Sequence, residues 1–252
     1  FEASDDSWIQ QAKLTAENGD SGDRFGKAVA LSGDGTTAII GASKNDNSNG
    51  EDVGSAYVFE ASDGSWNQHD RLTPDDDDTD EEFGKSVALS ADGTTAIIGA
   101  ENDNNPIGDN EGSAYVFQAS DGSWTQQAKL TDDDGEGWDF FGTSVAVSSD
   151  GTTAFIGAHG DMTPKNRPDG FVHVFEATGE SWSQQAKITP DDVNSYERFG
   201  ASVAVSSDGN TLTIGAPHQD NSNGEFAGSA YVFEATGESW IQQAEITAED
   251  GD

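Results

Sequence analysis

Apolar and polar positions follow the same order along the chain every 58 residues. In the unit that begins at Phe83, an apolar stretch at 86–90 faces a second one at 94–100 across a short turn, and further stretches follow at 113–117 and 124–131. The Asp-Gly pair in that first turn supplies the positive φ that a tight hairpin needs. Each unit is therefore predicted to fold into four antiparallel strands.

The two middle strands of a unit are apolar on both faces. Ile97 stands beside Ile98, and residues 115–117 read Tyr-Val-Phe without a polar break. Such a sheet is covered on both sides. The fourth strand, at 124–131, alternates apolar and polar residues, which predicts a half-exposed outer edge. Sheets that are covered inside and solvated outside are typical of the blades of a β-propeller.

Two landmarks define the repeat, a tryptophan in each fourth strand and a Phe-Gly pair at the start of each unit. The tryptophans are Trp8, Trp66, Trp124, Trp182 and Trp240, and the pairs are Phe25-Gly26, Phe83-Gly84, Phe141-Gly142 and Phe199-Gly200. Repeated units bury their faces against one another. We therefore predict one all-β propeller domain over residues 1–252, with a partial repeat at 1–24 and blades at 25–82, 83–140, 141–198 and 199–252.

The chain carries one segment twice. Residues 1–20 match residues 233–252 at 14 of 20 positions, and both contain a fourth strand. If the four blades closed into a ring, one copy would have no place in it. Three explanations stay open: the chain is a fragment of a propeller of about five to eight blades, residues 8–15 cap the edge of the last blade, or the spare strand is donated to the next subunit of an assembly.

Acidic residues dominate the charge. Asp and Glu number 48 against 11 Lys and Arg, giving a net charge of -37. At low salt the negative charges repel one another, and at 1 M salt this repulsion is screened beyond a distance of about 3 Å. We predict adaptation to high salt, with a cation-storing surface as the alternative.

The lack of a basic stripe argues against nucleic acid and anionic membranes as partners, and no apolar run is long enough to insert into a bilayer. Because the sequence starts at Phe1 without Met, we expect a processed or truncated product.

The repeated pairs carry a family resemblance. Each unit has Phe-Gly at its start and Gly-Ala after its second strand, as at Gly99-Ala100, and three units share the Gly-Ser-Ala-Tyr-Val-Phe strand of 112–117. These units resemble FG-GAP repeats, of the subclass found in microbial surface proteins, and the acidic composition favours a haloarchaeal source. The resemblance implies a β-propeller like the ligand-binding head of integrin α chains, at the cell surface or outside the cell, with adhesion or recognition as its role.

Two loops have the oxygen spacing of a cation site. Many FG-GAP blades bind calcium through an Asp-x-Asp-x-Asp-Gly turn, but here that turn carries a single Asp, as in 91–93, too few ligands for calcium. The loop after Gly-Ala has alternate side-chain oxygens in two units. We take as candidate calcium ligands Asn45, Asn47, Asn49 and Glu51 in one loop and Asp220, Asn221, Asn223 and Glu225 in the other. Solvated turns are the alternative, so calcium is possible and no cofactor is required.

The third unit departs from the pattern with aromatic residues beside carboxylates, a combination typical of sugar-binding sites. The candidate ligand-binding residues are Trp138, Asp139, Arg167 and Tyr196. Catalysis is not expected, because the four histidines occupy different repeat positions or units and the motifs of nucleophilic or zinc hydrolases are absent.

These observations favour a non-enzymatic extracellular or cell-surface binding and adhesion module for high salt. A structural subunit of a filament or sheath, assembled by edge-strand donation, is the first alternative, and a glycan-binding lectin is the second. The expected partners are a protein or glycan ligand at the cell surface, or further copies of the chain.

Overall fold

The structure is a computed structural model, and it contains strands, turns and loops. It describes residues 2–4, 7–46, 50–76, 81–104, 110–133, 135, 138–160, 170–191, 197–222, 224–237 and 239–248. Within these ranges every regular element is a β-strand. A helix long and apolar enough to cross a membrane is not found among them.

Four sheets of four antiparallel strands match the four predicted units. The first blade contains β3 (Phe25–Leu31), β4 (Thr37–Ala42), β5 (Ser55–Ser62) and β6 (Ser65–Leu72). The second contains β7 (Ser86–Leu89), β8 (Thr95–Ala100), β9 (Ser113–Ser120) and β10 (Ser123–Leu130). The third contains β11 (Phe141–Val147), β12 (Thr153–Ala158), β13 (Phe171–Thr178) and β14 (Ser181–Ile188). The fourth contains β15 (Ser202–Val205), β16 (Thr211–Ala216), β17 (Ser229–Thr236) and β18 (Ser239–Ile246).

Within each blade the strands follow one another in chain order, so each sheet is a simple meander. A separate hairpin of β1 (Glu2–Ser4) and β2 (Ser7–Ile9) precedes the first blade. The all-β fold of four-stranded blades is therefore confirmed.

The turn between the first two strands of a blade is closed by its single aspartate. The Asp34 carboxylate accepts hydrogen bonds from the Ser32 hydroxyl at 2.7 Å, from the Thr36 amide at 2.9 Å and from the Thr36 hydroxyl at 2.8 Å. The hydrogen bond from Ser32, together with those from Thr36, holds the pKa of Asp34 below its ordinary value. Asp92, Asp150 and Asp208 repeat the arrangement. The lone carboxylate of each turn thus stabilises the hairpin itself.

The hydrophobic core lies between the blades. On one side of the first junction are Ile39, Val58 and Leu72 of the first blade, and on the other are residues of the second blade that include Phe83 and Tyr115. Equivalent layers join the second blade to the third and the third to the fourth. This arrangement explains why the middle strands are apolar on both faces, since the second and third blades each contribute to two layers.

The described blades form an open row. The first strands of successive blades are neighbours, but no extensive contact joins the described residues of the first blade to those of the fourth. Val29 and Leu31 of β3 are 69% and 57% exposed, whereas their counterparts Val87 and Leu89 pack into a core layer. The ring is therefore not closed within the described chain.

The segment that precedes the first blade lies against that blade. Leu14 and Ala16 pack on its core residues, and the Glu17 amide donates to the Gln68 side chain at 3.0 Å. The same hydrogen bond joins Asp75 to Gln126 at the next junction. The option that residues 8–15 cap the last blade is therefore wrong, because this segment takes the place that the end of a preceding blade takes elsewhere.

Candidate functional site

Two sets of loops share one end of the blades. In an antiparallel meander the loop between the second and third strands and the segment that leads into the next first strand lie at the same end. Backbone hydrogen bonds join the two, and we call this end the loop face. The pairs are Lys44 to Asp23, Asn102 to Glu81, Gly160 to Asp139 and His218 to Glu197, with N to O distances of 3.0 to 3.2 Å.

In three of the loops on this face, a side chain at the start of the loop accepts a hydrogen bond from a backbone amide six residues later. The Asp46 carboxylate accepts the amide of Asp52, six residues later, at 2.9 Å. Asn104 and Asn110 repeat this bond at 2.8 Å, and Asp220 and Phe226 repeat it at 2.7 Å. The residue that donates has a positive φ of 50° to 54° in all three loops. The same hydrogen bond and the same positive φ therefore recur at the described ends of all three loops.

A buried polar cluster anchors the loop face in the first blade. Asn45 donates from Nδ2 to Asp23 at 2.7 Å, and its Oδ1 accepts from the Ser55 hydroxyl at 2.9 Å, from Tyr57 at 3.4 Å and from Arg71. The Asn45 side-chain oxygen thus accepts hydrogen bonds from three donors of its own blade. Asn45 therefore holds the loop to β5 and β6.

The second blade replaces this cluster with a more strongly charged one. The Tyr115 hydroxyl lies 3.0 Å from Asp76 Oδ2, 3.3 Å from Asp103 and 3.5 Å from Glu81. Lys129 Nζ contacts Asp103 at 2.7 Å and Asp76 at 2.5 Å. Asp103 and Glu81 are fully buried. Buried charges of this kind are stable only when they are paired and hydrogen-bonded.

The pKa shifts in this cluster follow from that arrangement. Burial raises the pKa of Tyr115, and the carboxylates around its hydroxyl raise it further, so the phenol stays protonated and donates. Burial disfavours the charged form of Lys129, but the bonds to Asp103 and Asp76 outweigh burial and raise its pKa. The lysine therefore stays charged and offsets part of the negative charge.

The third blade has a histidine at the tyrosine position. His173 is fully buried and lies edge-on to Phe141 at 5.1 Å between ring centroids. Its Nδ1 is 3.3 Å from the Gln184 side-chain oxygen, and its Nε2 is 3.5 Å from Asp132, which also binds Lys187 at 2.7 Å. Burial lowers the pKa of His173 to about 4. At neutral pH the ring is therefore neutral and structural.

An ion-pair chain crosses the blades on the same face. Lys44 of the first blade pairs with Glu82 at 2.9 Å, and Glu82 pairs with Lys85 at 2.9 Å. Lys85 also pairs with Glu101, which accepts a hydrogen bond from Thr143 of the third blade at 2.8 Å. Several of the few lysines are thus used where blades meet.

The predicted calcium loops are partly described. Asp220 and Asn221 make hydrogen bonds that close their own loop, and Glu51 and Glu225 are exposed. In the described ranges no group of three or more His, Cys, Asp and Glu side chains is arranged to hold a metal ion. Asn47, Asn49 and Asn223 lie outside the described residues, and the calcium prediction stays a prediction that depends on them.

Aromatic side chains gather on the loop face of the third blade. Trp138 is 47% exposed and lies edge-on to Phe140 with ring centroids 6.2 Å apart, and Phe140 lies 5.2 Å from the ring of His159. Asp139 stands between the two aromatic residues, and its carbonyl accepts the Gly160 amide. Trp138 and Asp139 are consecutive in the chain, and the Asp139 backbone holds this segment to the loop after β12. Arg167 and Tyr196 lie outside the described residues.

The fourth blade carries a similar pair that sequence reasoning missed. Phe226 is 60% exposed, and its ring lies edge-on to His218 at 5.5 Å. Phe226 occupies the loop position that Asp52 and Asn110 fill in other blades. An aromatic ring at a position that is polar in the first two units, at Asp52 and Asn110, is the signal in the sequence that could have identified it. Together with the Trp138 group it gives two neighbouring blades an aromatic, histidine-containing surface.

Comparison with known families matches four segments of the chain to the FG-GAP repeat, at residues 8–59, 66–117, 124–175 and 182–233. The chain belongs to the FG-GAP repeat family. The first matched segment starts at Trp8 in β2, the other three start at the tryptophan of a fourth strand, and each ends in the third strand of a blade. A single sequence repeat therefore spans two blades, which links them covalently through the segment that enters the Phe-Gly pair.

Solved structures show the same fold at a distance. Hydrazine synthase from Kuenenia stuttgartiensis is similar over 96% of this chain, with a TM-score of 0.55 and 14% sequence identity. This chain spans 53% of the length of that one. Among curated proteins no match was found. At this identity the likeness concerns the fold alone.

Proposed function

We propose that this FG-GAP module is a non-enzymatic binding and adhesion protein of the cell surface or extracellular space, and that the loop face of its third and fourth blades binds glycans. The observation that carries the proposal is the pair of exposed aromatic rings, Trp138 and Phe226, each edge-on to a second ring of its own blade's loop face. Exposed aromatic surface on a rigid scaffold favours ligand binding.

The chemistry of this surface suits sugars. Aromatic faces stack on the C–H faces of pyranose rings, and carboxylates accept hydrogen bonds from hydroxyls. Asp139 and Asp220 stand beside the two aromatic groups. The net charge of -37 favours uncharged or basic ligands over phosphorylated or sulfated ones.

The proposal is tested with a glycan array probed in about 3 M KCl, where the surface charge is screened. Trp138→Ala and Phe226→Ala should each weaken binding at least about tenfold, the loss of roughly 1.4 kcal/mol of contact. Trp8→Ala is the matched control, because Trp8 is 73% exposed but lies in the segment before the first blade. Binding that is unaffected by Trp138→Ala and Phe226→Ala, or lost equally in Trp8→Ala, would contradict this site.

Calcium at the candidate loops is a separate part of the proposal. Titration calorimetry with calcium in about 3 M KCl should show a saturable site, and Glu51→Gln or Glu225→Gln should weaken it, because a carboxylate ligand contributes charge that an amide lacks. Heat that does not saturate, or that is the same in both variants, would leave these loops as hydrogen-bonded turns.

A further inference from the structure

The turns at the end of the blades opposite the loop face are joined by backbone hydrogen bonds at the first two junctions. The Gly33 amide donates to the Ala91 carbonyl at 2.8 Å, and the Ala91 amide donates to the Ser149 carbonyl at 3.0 Å. The next bond of this series would run from Ser149 to Ser207, but it is not among the backbone hydrogen bonds of the described residues, which include both serines. The third and fourth blades therefore lack this link at what we call the turn end.

The glycines of these turns show the same separation. Gly93, Gly151 and Gly209 have nearly equal φ values of 72° to 73°. An added Cβ would lie 3.2 Å from the preceding blade at Gly93 and 2.4 Å from it at Gly151. At Gly209 it would meet a single atom of the described chain, Ser148 Cβ, at an ordinary contact distance of 3.5 Å. The turn ends of the third and fourth blades are therefore farther apart than the others.

Two side chains at this third junction differ from those of the first. Phe155 stands where the first two blades have isoleucine, and its ring lies edge-on to Trp240 with ring centroids 5.4 Å apart. At the first junction the Asp70 carboxylate accepts the Trp124 amide at 3.4 Å, but the residue at the position of Asp70 in the third blade is Ala186. A larger ring inside the junction and the loss of a bridging carboxylate both favour separated turn ends.

A groove of about 250 Å³ lies between these turn ends, and we call it the turn-end groove. Its lining includes three carboxylates, two side-chain amides and one indole ring, which belong to Asp150, Asp208, Glu176, Gln185, Asn210 and Trp240. Among its described lining residues there is no basic side chain. The turns bind Asp150 and Asp208 through Oδ1, so the second oxygen of each carboxylate can accept a hydrogen bond from a ligand.

A second groove, of about 570 Å³, follows the fourth strands of the same two blades and shares Ala186 and Trp240 with the first. Thr189, Ser239 and Gln242 add hydroxyl and amide groups to it. The half-buried Trp240 therefore lines both grooves. A ligand longer than the turn-end groove has room to continue along the junction.

We propose that the turn-end groove binds one sugar ring of an uncharged glycan, with Trp240 as its apolar wall. The carboxylates and amides offer oxygens to the hydroxyls of a sugar, and an indole ring packs against its C–H groups. The excess of carboxylates disfavours sulfated, phosphorylated or uronic acid sugars. The volume of about 250 Å³ lies below the roughly 300–1,000 Å³ of pockets that bury a drug-sized ligand, which suits a single ring.

This site is separate from the one proposed on the loop face. The turns and the long loops of an antiparallel meander lie at opposite ends of its strands, so the two sites lie at opposite ends of the third and fourth blades. The turn-end groove does not depend on the loop-face site. Variants of one site should therefore leave binding at the other unchanged.

The turn-end groove is tested in the double variant Trp138→Ala, Phe226→Ala, which lacks the proposed loop-face site. An array of uncharged oligosaccharides in about 3 M KCl should still detect binding. Adding Asn210→Arg, which places a long side chain in the groove, should weaken this residual binding at least about tenfold. Thr36→Arg is the matched control, because Thr36 is exposed at the same turn position of the first blade. Equal Tm values for the two arginine variants would confirm that both are folded.

A second variant removes a hydrogen-bonding group without adding bulk. Gln185→Ala should weaken the residual binding about fivefold, as expected for the loss of one hydrogen bond. Gln127→Ala is its control, since both glutamines are exposed and each donates to a hydroxyl two residues earlier, Gln185 to Ser183 at 2.8 Å and Gln127 to Thr125 at 2.9 Å.

Three results would overturn the proposal. The first is the absence of residual binding to uncharged oligosaccharides in the double variant. The second is residual binding that Asn210→Arg and Gln185→Ala leave unchanged. The third is binding of a lysine-rich peptide in place of uncharged oligosaccharides, because the groove would then be a site for cations.

Discussion

Alanine at the first glycine of a Gly-Ala pair should have opposite effects at an inner and an outer junction. At Gly99 the added Cβ would lie 2.0 Å from the Gly142 carbonyl oxygen, a backbone atom of the next blade that cannot rotate away. The two blades must separate by more than about 1 Å to restore normal contact. At Gly215 the Cβ would meet only the Ser202 hydroxyl at 2.3 Å, and a hydroxyl can change rotamer.

The expected loss of stability in Gly99→Ala follows from the contacts that are disrupted when the second and third blades separate. Overpacking a core costs about 1–3 kcal/mol, and loss of the Ser86 to Gly142 hydrogen bond adds about 1 kcal/mol. Gly99→Ala should therefore destabilise the chain by about 2–4 kcal/mol, or about 5–15 °C in Tm for a domain of this size. Gly215→Ala should be neutral or stabilising by about 0.5 kcal/mol, because alanine has less conformational entropy to lose than glycine.

Thermal unfolding followed by circular dichroism in about 3 M KCl measures both variants under screened conditions. Hydrogen exchange at the Phe141 amide, which crosses the junction, reports whether the loss is local to the second and third blades. An equal fall in Tm for Gly99→Ala and Gly215→Ala would contradict this expectation, and so would a Gly99→Ala variant with the same Tm as the unmodified chain. Either result would mean that blade contacts do not limit stability.

Three further predictions concern charge and protonation. Raising KCl from about 0.1 to 3 M should raise Tm, while sucrose at matched water activity should raise it less, because only salt screens the net charge of -37; equal effects would contradict the screening account. Burial lowers the pKa of His173 from its ordinary value of 6.5 to about 4. The stability that depends on the neutral ring is therefore fully present above pH 6.5, and about 3 kcal/mol of it is lost as the pH falls from 6.5 to about 4. His173→Tyr, which restores the residue of the other blades, should reduce the fall in Tm between pH 7.5 and 5 if this assignment is right. Lys129→Met should destabilise by about 2 kcal/mol by leaving Asp103 and Asp76 without their cation, whereas the exposed Lys13→Met should have little effect in the same melts.

The blades could be predicted from the sequence because their signal is local. Alternation, Asp-Gly turns and the 58-residue period report strands and hairpins within short windows. The polar clusters could not be predicted in the same way. Asn45 was placed in a cation loop from its spacing, but its partners Tyr57 and Arg71 lie 12 and 26 residues away on other strands. Only the register of β5 and β6 brings them together.

The sequence also could not predict that the row of described blades is open. Whether a given number of blades closes into a ring depends on the angle between adjacent faces, and that angle is set by side chains from both blades. The duplicated segment at 1–20 raised the question but could not answer it. The exposure of Val29 and Leu31, and the packing of Leu14 and Ala16 on the first blade, decide that this segment does not cap the fourth blade.

The Phe-Gly and Gly-Ala pairs are under a different physical constraint from the loops of the loop face. At the junctions a Cβ on Gly41, Gly99 or Gly157 would lie 2.0 to 2.1 Å from the backbone of the next Phe-Gly pair, so a substitution there separates whole blades. On the loop face, by contrast, side chains project from loops closed by one Asx hydrogen bond, and Phe226 can replace Asp52 without changing the φ of that position by more than 1°. The packing of one blade on the next therefore depends on close backbone approach, whereas the proposed binding surface depends on side chains. This separation explains how the third and fourth blades acquire aromatic surfaces while their Phe-Gly and Gly-Ala pairs keep the geometry of the others.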